Sequence, residues 1–210
     1  YPGGVPQQGA VEADGKTRFC IAAPGKENVI IVGSWDNYSP NDASVMKYQD
    51  YNGYRYFWAE VEGLEKGKSY CYYYLVDGTK KVGDPYARLV LDPYSDKWLD
   101  KLPEGCPAYP YDRFDDTMLA VYNSDIDNYD WQYNDAYSIP DHDKLIIYEL
   151  LVRDFDGANR TADGTFDNVS HRLLYLKELG VNAIELMPVM EFNGNNSWGY
   201  NTNFYMAPDK

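Results

Sequence analysis

The sequence predicts a multidomain chain, an all-β sandwich followed by the first βαβ unit of a parallel sheet. Three observations predict it. Between residues 17 and 91, short apolar and aromatic runs alternate with turn signals, and no stretch has the spacing of an amphipathic helix. At residue 144 the pattern changes to a near-continuous apolar run, as in strands buried on both faces. A helix-spaced segment and a second apolar run, residues 181–187, come after it.

Residues 1–10, rich in Pro, Gly and Gln, read as an extended lead-in. Residues 17–23, 28–33, 54–61 and 69–76 read as strands, with a weaker one at 87–91. Pro24-Gly25, Asn52-Gly53, Gly63, Gly67 and Asp77-Gly78 supply the turns between them. Short strands at this spacing indicate an antiparallel sandwich of immunoglobulin-like type over residues 1–95. Residues 96–143 carry several prolines and many Asp and Tyr residues with little periodicity, and read as a connector. Trp98, Trp131 and the tyrosines make it an ordered one, lying on domain surfaces, and residues 117–122 within it have strand character.

The third part spans residues 144–210. Leu145 to Val152 form the first parallel strand, with turns expected at Asp156-Gly157 and Asp163-Gly164. Asp167 is the expected helix N-cap, Val169, Leu173, Leu176 and Leu179 recur at helical spacing, and Gly180 stops the helix. Residues 181–187 complete the βαβ unit, whose crossover is expected to be right-handed. A closed β/α barrel takes about 250 residues. Roughly 65 follow Lys144, room for two of eight strands. Two parallel strands and one helix cannot bury both faces of a sheet. The expectation is therefore an incomplete TIM (β/α)8 barrel, the N-terminal portion of a longer protein.

Composition narrows the partners. The net charge of −14 repels nucleic acid and anionic membrane surfaces and leaves a neutral partner such as a glycan unaffected. No apolar run approaches the ~20 residues of a membrane span. The chain opens at Tyr1 rather than Met, so upstream sequence is expected and the compartment stays open. The three cysteines, Cys20, Cys71 and Cys106, form no CxxC pair, and the histidines are His142 and His171, so a zinc cage is not expected. Aromatic content of 16% fits either a strand-rich fold or a carbohydrate-facing surface.

In the second half, the runs at residues 147–155 and 180–189, followed in order by Ser197-Trp198-Gly199-Tyr200-Asn201 and Tyr205-Met206-Ala207-Pro208, together resemble the α-amylase superfamily, family 13 of the glycoside hydrolases. Ile147-Tyr148-Glu149-Leu150-Leu151-Val152-Arg153-Asp154-Phe155 is similar to the first barrel strand of its pullulanase-type members. Gly180-Val181-Asn182-Ala183-Ile184-Glu185-Leu186-Met187-Pro188-Val189 is similar to the second strand, closest to branching enzymes and trehalose-releasing relatives. Ser197-Trp198-Gly199-Tyr200-Asn201 and Tyr205-Met206-Ala207-Pro208 resemble the family's loop after that strand. In the first half, Val32-Gly33-Ser34-Trp35-Asp36-Asn37-Tyr38, Val61-Glu62-Gly63-Leu64, Val76-Asp77-Gly78 and Asp84-Pro85-Tyr86-Ala87 resemble carbohydrate-binding module family 48.

The resemblance implies the N-terminal part of a retaining, starch- or glycogen-active α-glucan hydrolase of amylase or pullulanase type. A 1,4-α-glucan branching enzyme is the alternative, and a non-catalytic glycan-binding or interaction fragment is the reading from another class. The partners implied are an α-glucan and the remainder of the protein's own catalytic domain. The catalytic carboxylates are expected beyond Lys210, so this chain alone is expected to be inactive. Calcium is possible in the full-length enzyme, but no residues here assign a metal site.

Tyr200 is the leading substrate-binding candidate. Its counterpart in the family packs against the sugar ring at the cleavage point, where a flat π face suits an oxocarbenium-like transition state. Trp198 either faces sugar or shapes the loop, and Asn201 either bonds a sugar hydroxyl or caps a turn. Glu149 and Glu185 are not read as a catalytic pair. Strand alternation would put Glu149 and Arg153 on one face, in a structural network with Glu185. In the sandwich, Trp35 and Tyr38 form a weak candidate glycan surface. A second stacking aromatic would fall near residues 79–82, where the chain reads Thr-Lys-Lys-Val. The module is therefore expected to act mainly as a packing partner.

Overall fold

Phe19 and Ile21 lie two residues apart, so they point to one face of a strand. Phe57 and Ala59 do the same, and all four meet Val29, Ile31, Tyr72 and Tyr74 in one buried cluster. That cluster lies between two antiparallel sheets. A computed structural model describes residues 1–126, 129–132, 138–156 and 164–210. The strands are β1 (Gly9–Ala13), β2 (Lys16–Ala22), β3 (Val29–Gly33), β4 (Lys47–Tyr51), β5 (Tyr54–Val61), β6 (Tyr70–Val76), β7 (Lys80–Val82), β8 (Leu89–Leu91) and β9 (Leu119–Tyr122). One sheet has the order β1-β2-β5-β4, the other β3-β6-β9-β8 with β7 on β6.

The expected strands are present, and three unexpected ones join them. β1 lies partly in the supposed lead-in, entered through Gly9 at φ +87°. β4 reads Lys-Tyr-Gln-Asp-Tyr and β7 Lys-Lys-Val. All three lie at sheet margins, where backbone pairing holds a strand that carries few apolar side chains. The run at residues 117–122 becomes β9, which pairs with both β6 and β8. The boundary expected at residue 95 thus falls inside the sheet.

β6 reads Tyr-Cys-Tyr-Tyr-Tyr-Leu-Val and is buried on both faces. Its inner face carries Tyr72 and Tyr74, and its outer face Cys71 and Tyr73. Tyr109, Cys106 and Phe114 of the connector cover that outer face as a third layer. Tyr109 is fixed there by donating its hydroxyl to Thr117 O at 2.7 Å. The inner face holds a buried acid. Asp84 accepts hydrogen bonds from the Tyr72 and Tyr74 hydroxyls at 2.8 and 3.0 Å and from Tyr86 N at 2.8 Å.

The remaining elements are β10 (Ile147–Leu150), α1 (Val152–Phe155), α2 (Phe166–His171), α3 (Leu173–Glu178), β11 (Ala183–Leu186), β12 (Met190–Phe192) and β13 (Thr202–Pro208). β10 and β11 pair in parallel, with Glu149 opposite Glu185. The turns expected at Asp156-Gly157 and Asp163-Gly164 involve residues outside those described. The single expected helix is two, broken at Arg172 (φ −98°, ψ 0°). Its cap is Thr165 rather than Asp167: Thr165 and Asn168 form a reciprocal capping box. Gly180, at φ +89°, ends α3 as expected.

The buried parallel strand expected at residues 145–152 is shorter and more exposed than that. Leu150 packs with Val169 and Leu176, whereas Ile147 is 55% and Leu186 39% exposed. Among the described residues, only β10 and β11 make up this sheet. β12 and β13 form an antiparallel hairpin instead of a plain loop. β13 runs beside β8, Phe204 and Ala207 enter the sandwich core, and the Phe204 ring fills the space where Gly83 would carry a Cβ. Among the described residues no helix is long and apolar enough to cross a membrane.

Candidate functional site

The hairpin displays residues 193–201 at its tip. Backbone and amide bonds close the loop: Asn193 N donates to Asn201 O at 3.4 Å, and Asn201 Nδ2 to Asn193 O at 3.0 Å. The Ser197 hydroxyl bonds Asn201 Oδ1 and accepts from Gly199 N at 3.0 Å, and the Thr202 hydroxyl donates to Gly199 O at 3.1 Å. Asn201 thus makes one hydrogen bond within the loop from each end of its amide.

Two neighbours brace the loop from outside. Arg153 donates to Asn196 Oδ1 at 2.6 Å and Ser197 O at 3.2 Å, and pairs with Asp154 at 2.8 Å. Strand alternation was expected to put Arg153 on the face of Glu149. The strand ends at Leu150 and Arg153 lies on the helical turn α1, so period-two alternation does not reach it. On the other side, Asn195 Nδ2 donates to Ser95 O of the connector at 3.0 Å. Gly199, at φ +89°, passes so close to the end of β11 that a Cβ would sit 2.1 Å from Pro188 O.

Fixed in this way, the loop holds two large rings out from the surface. Trp198 is 65% and Tyr200 67% exposed. The Tyr200 hydroxyl lies 3.5 Å from Glu149 Oε1, a long contact that leaves its ring face open. Glu149 and Glu185 sit side by side on the parallel strands behind it. Aromatic faces beside carboxylates, amides and an arginine can stack on a pyranose and bond its hydroxyls.

The sandwich aromatics are placed differently. Trp35 is stacked on Phe19, ring centroids 5.2 Å apart, and lies where a Cβ on Gly33 would be 2.4 Å from its ring. Tyr38 meets Phe114 edge-on at 4.9 Å, and burial pushes its phenol well up from the ordinary value. Both rings therefore spend much of their area on packing.

A second polar centre has no counterpart among the sequence expectations. Lys210 Nζ lies 2.7 Å from Glu191 Oε2 and 3.1 Å from Asp96 Oδ1, and donates to Val90 O at 2.8 Å. All three charged side chains are at most 3% exposed. Asp96 Oδ1 makes a charge contact there, without the alignment of a hydrogen bond. Burial raises Glu191 to about 7 and Asp209 to about 6, in each case against the pull of Lys210. No local signal marks this centre, because Val90 is 120 residues from Lys210 in sequence. Among the described residues no group of three or more His, Cys, Asp or Glu is arranged to hold a metal ion.

No family model matches the chain. Curated relatives do. The malto-oligosyltrehalose trehalohydrolase of Saccharolobus solfataricus is 33% identical over 146 residues, 69% of this chain and 20% of that protein. Chloroplastic isoamylase 1 of Arabidopsis thaliana is 33% identical over 142 residues, 64% of this chain and 18% of the relative. The 1,4-alpha-glucan branching enzyme of Halothermothrix orenii is 30% identical over 212 residues, 95% of this chain and 29% of its own. The chain thus spans between 18% and 29% of these relatives' lengths. Among solved structures, the GBS pullulanase SAP in complex with maltotetraose superposes with a TM-score of 0.65 at 23% identity, over 98% of this chain and 29% of that one. The pullulanase from Bacillus acidopullulyticus gives 0.64 at 23% identity, over 97% and 25%. The mostly β architecture is that of the N-terminal domains of these enzymes. With its strand and loop motifs in order and these relatives 30–33% identical to it, the chain belongs to the α-amylase superfamily, glycoside hydrolase family 13, and corresponds to the N-terminal region of its enzymes.

Proposed function

We propose that the chain is the N-terminal part of a retaining α-glucan hydrolase of amylase or pullulanase type. An immunoglobulin-like sandwich, similar to carbohydrate-binding module family 48, carries the opening βαβ unit of a (β/α)8 barrel. One observation carries the reading: a braced loop beyond the carboxyl end of a parallel strand presents the open rings of Trp198 and Tyr200, with the Tyr200 hydroxyl near Glu149. The uncovered Ile147, Ile184 and Leu186 on the two-stranded sheet fit a barrel whose other elements lie outside these residues.

In this role the chain supplies binding and orientation. Tyr200 and Trp198 stack on sugar rings, Arg153 holds the loop they ride on, and the carboxylates that break the glycosidic bond come from later strands. Family 13 members differ in their acceptor. Water makes the enzyme a hydrolase, and a second glucan makes it a branching transferase, the alternative that the branching-enzyme relative keeps open. The experiment is reducing-sugar release from amylopectin by the whole protein and by this chain alone. Release by the whole protein and none by the chain is expected. Branch formation without net release would favour the transferase, and no action by the whole protein on any α-glucan would overturn both.

The Tyr200 ring should matter more than its hydroxyl, whose contact with Glu149 is long. In the whole protein, Tyr200→Ala is expected to lower kcat/KM at least tenfold, roughly 1.4 kcal/mol, while Tyr200→Phe stays close to wild type. An unchanged rate for Tyr200→Ala removes it from the site. For the sandwich, packing is the expected role. Affinity electrophoresis in a glycogen gel should show little retardation, and strong retardation abolished by Tyr38→Ala would make it a glycan-binding module instead.

A further inference from the structure

The loop carrying Trp198 and Tyr200 belongs to a hairpin that is anchored outside the parallel sheet. Glu191 is in β12, just before the loop opens at Asn193, and pairs across the hairpin with Phe204 of β13. Phe204 enters the sandwich core beneath Gly83. Asp96 and Val90 belong to the sandwich side, in the turn after β8 and in β8 itself. The turn that holds Asp96 also takes the hydrogen bond from Asn195 of the loop, through Ser95 O.

Lys210 joins these pieces. Its ammonium reaches one carboxylate on the hairpin and one on the sandwich, with a third bond to Val90 O, and it is buried with both acids. A buried ion pair is a weak source of net stability, because desolvation offsets most of the attraction. It is demanding in geometry, since each misplaced partner leaves a buried charge unpaired. The site therefore tolerates one arrangement of hairpin against sandwich. Phe204 packing alone would allow more sliding, as apolar contacts are not directional.

We propose that Lys210 is a positioning residue, which fixes the hairpin to the sandwich and so sets where the rings of Trp198 and Tyr200 stand. The sandwich then acts on substrate binding without touching substrate. The sugar-facing part of this inference rests on the proposed function, and the clamp itself does not.

The test uses the whole protein with Lys210→Met, Lys210→Arg and the double substitution Glu191→Leu/Lys210→Met, which removes most of the stranded charge should the single variant fail to fold. Amide hydrogen exchange is followed in peptides covering residues 190–206 and, as a control, residues 54–61 of the sandwich. Exchange in the loop is expected to quicken at least tenfold in Lys210→Met or the double variant, with the sandwich peptide unchanged and Lys210→Arg largely protected. Equal protection of the loop in all variants, or equal loss in both peptides, overturns the clamp. On an α-glucan, KM should rise at least fivefold with a smaller change in kcat, and Lys210→Arg should recover most of it. Faster loop exchange with KM unmoved would leave a purely structural tie and overturn the positioning role. A wild-type protein inactive on α-glucans would refute the proposed function, while the exchange result would still decide the clamp.

Discussion

Replacing Gly199 by alanine should cut kcat/KM of the whole protein on an α-glucan by about a hundredfold, with little change in thermal stability. Two constraints meet at this residue. Its φ of +89° is a region that side-chain-bearing residues rarely occupy, and its missing Cβ leaves the room that Pro188 O occupies, 2.1 Å from where a Cβ would stand. The contact is with backbone at the end of β11, so no side chain can swing aside. The loop must instead lift by about 1 Å, and a displacement of that size at a substrate-positioning element costs on the order of a hundredfold. Stability should hold because the strain falls in the loop at the hairpin tip, outside the sandwich core that determines unfolding. Kinetics and a melting curve on the same preparation check both halves. Wild-type kcat/KM in Gly199→Ala would mean that the loop's close approach to Pro188 has no bearing on the site.

This glycine also shows which parts of the site could be read from sequence. Trp198 and Tyr200 were legible because they stand in a recognisable run, and the apolar strand before them told where that run is delivered. The supports were not legible. Arg153 braces Asn196 from 43 residues away, and it does so from a helical turn that the apolar run of β10 gives no hint of. Lys210, Glu191 and Asp96 come from three segments, each of which looks like an ordinary solvated charge in its own neighbourhood. Local patterns report which face of an element is apolar; they do not report which distant element will meet a polar side chain.

The fold divides in the same way. β2, β5 and β6 are visible because central strands must carry apolar residues on at least one face, and β3, although at a sheet edge, shows through its run Val-Ile-Ile-Val. β1, β4 and β7 were missed because marginal strands need little more than backbone partners. The segment containing β9 has strand character in sequence but lies within the expected connector, since nothing local in Leu-Ala-Val-Tyr says that it inserts between β6 and β8. The helical spacing predicts one helix because its apolar residues run unbroken past Arg172, where the backbone turns.

The second large effect is expected at Asp84, in the middle of the sandwich. Asp84→Ala should lower the melting temperature by about 10 °C. The carboxylate is wholly buried and takes three hydrogen bonds, from the hydroxyls of Tyr72 and Tyr74 and from Tyr86 N. Alanine leaves all three donors without that partner, two of them the hydroxyls of tyrosines no more than 1% exposed. Each costs about 1–3 kcal/mol, so a loss of roughly 3 kcal/mol is a lower figure. Asp84→Asn keeps the shape and one acceptor, and should cost less. The asparagine also isolates a pH effect. Burial raises the Asp84 carboxyl above its ordinary range even though all three donors pull it down. The folded chain therefore holds this proton more tightly than the unfolded chain, and the stability it contributes falls as pH rises from about 4 through the raised folded value. Melting temperatures measured from acid to neutral pH should fall more for wild type than for Asp84→Asn. Parallel curves would show that Asp84 carries no such proton, and that its three donors face a carboxylate whose charge the two tyrosines have fully accommodated.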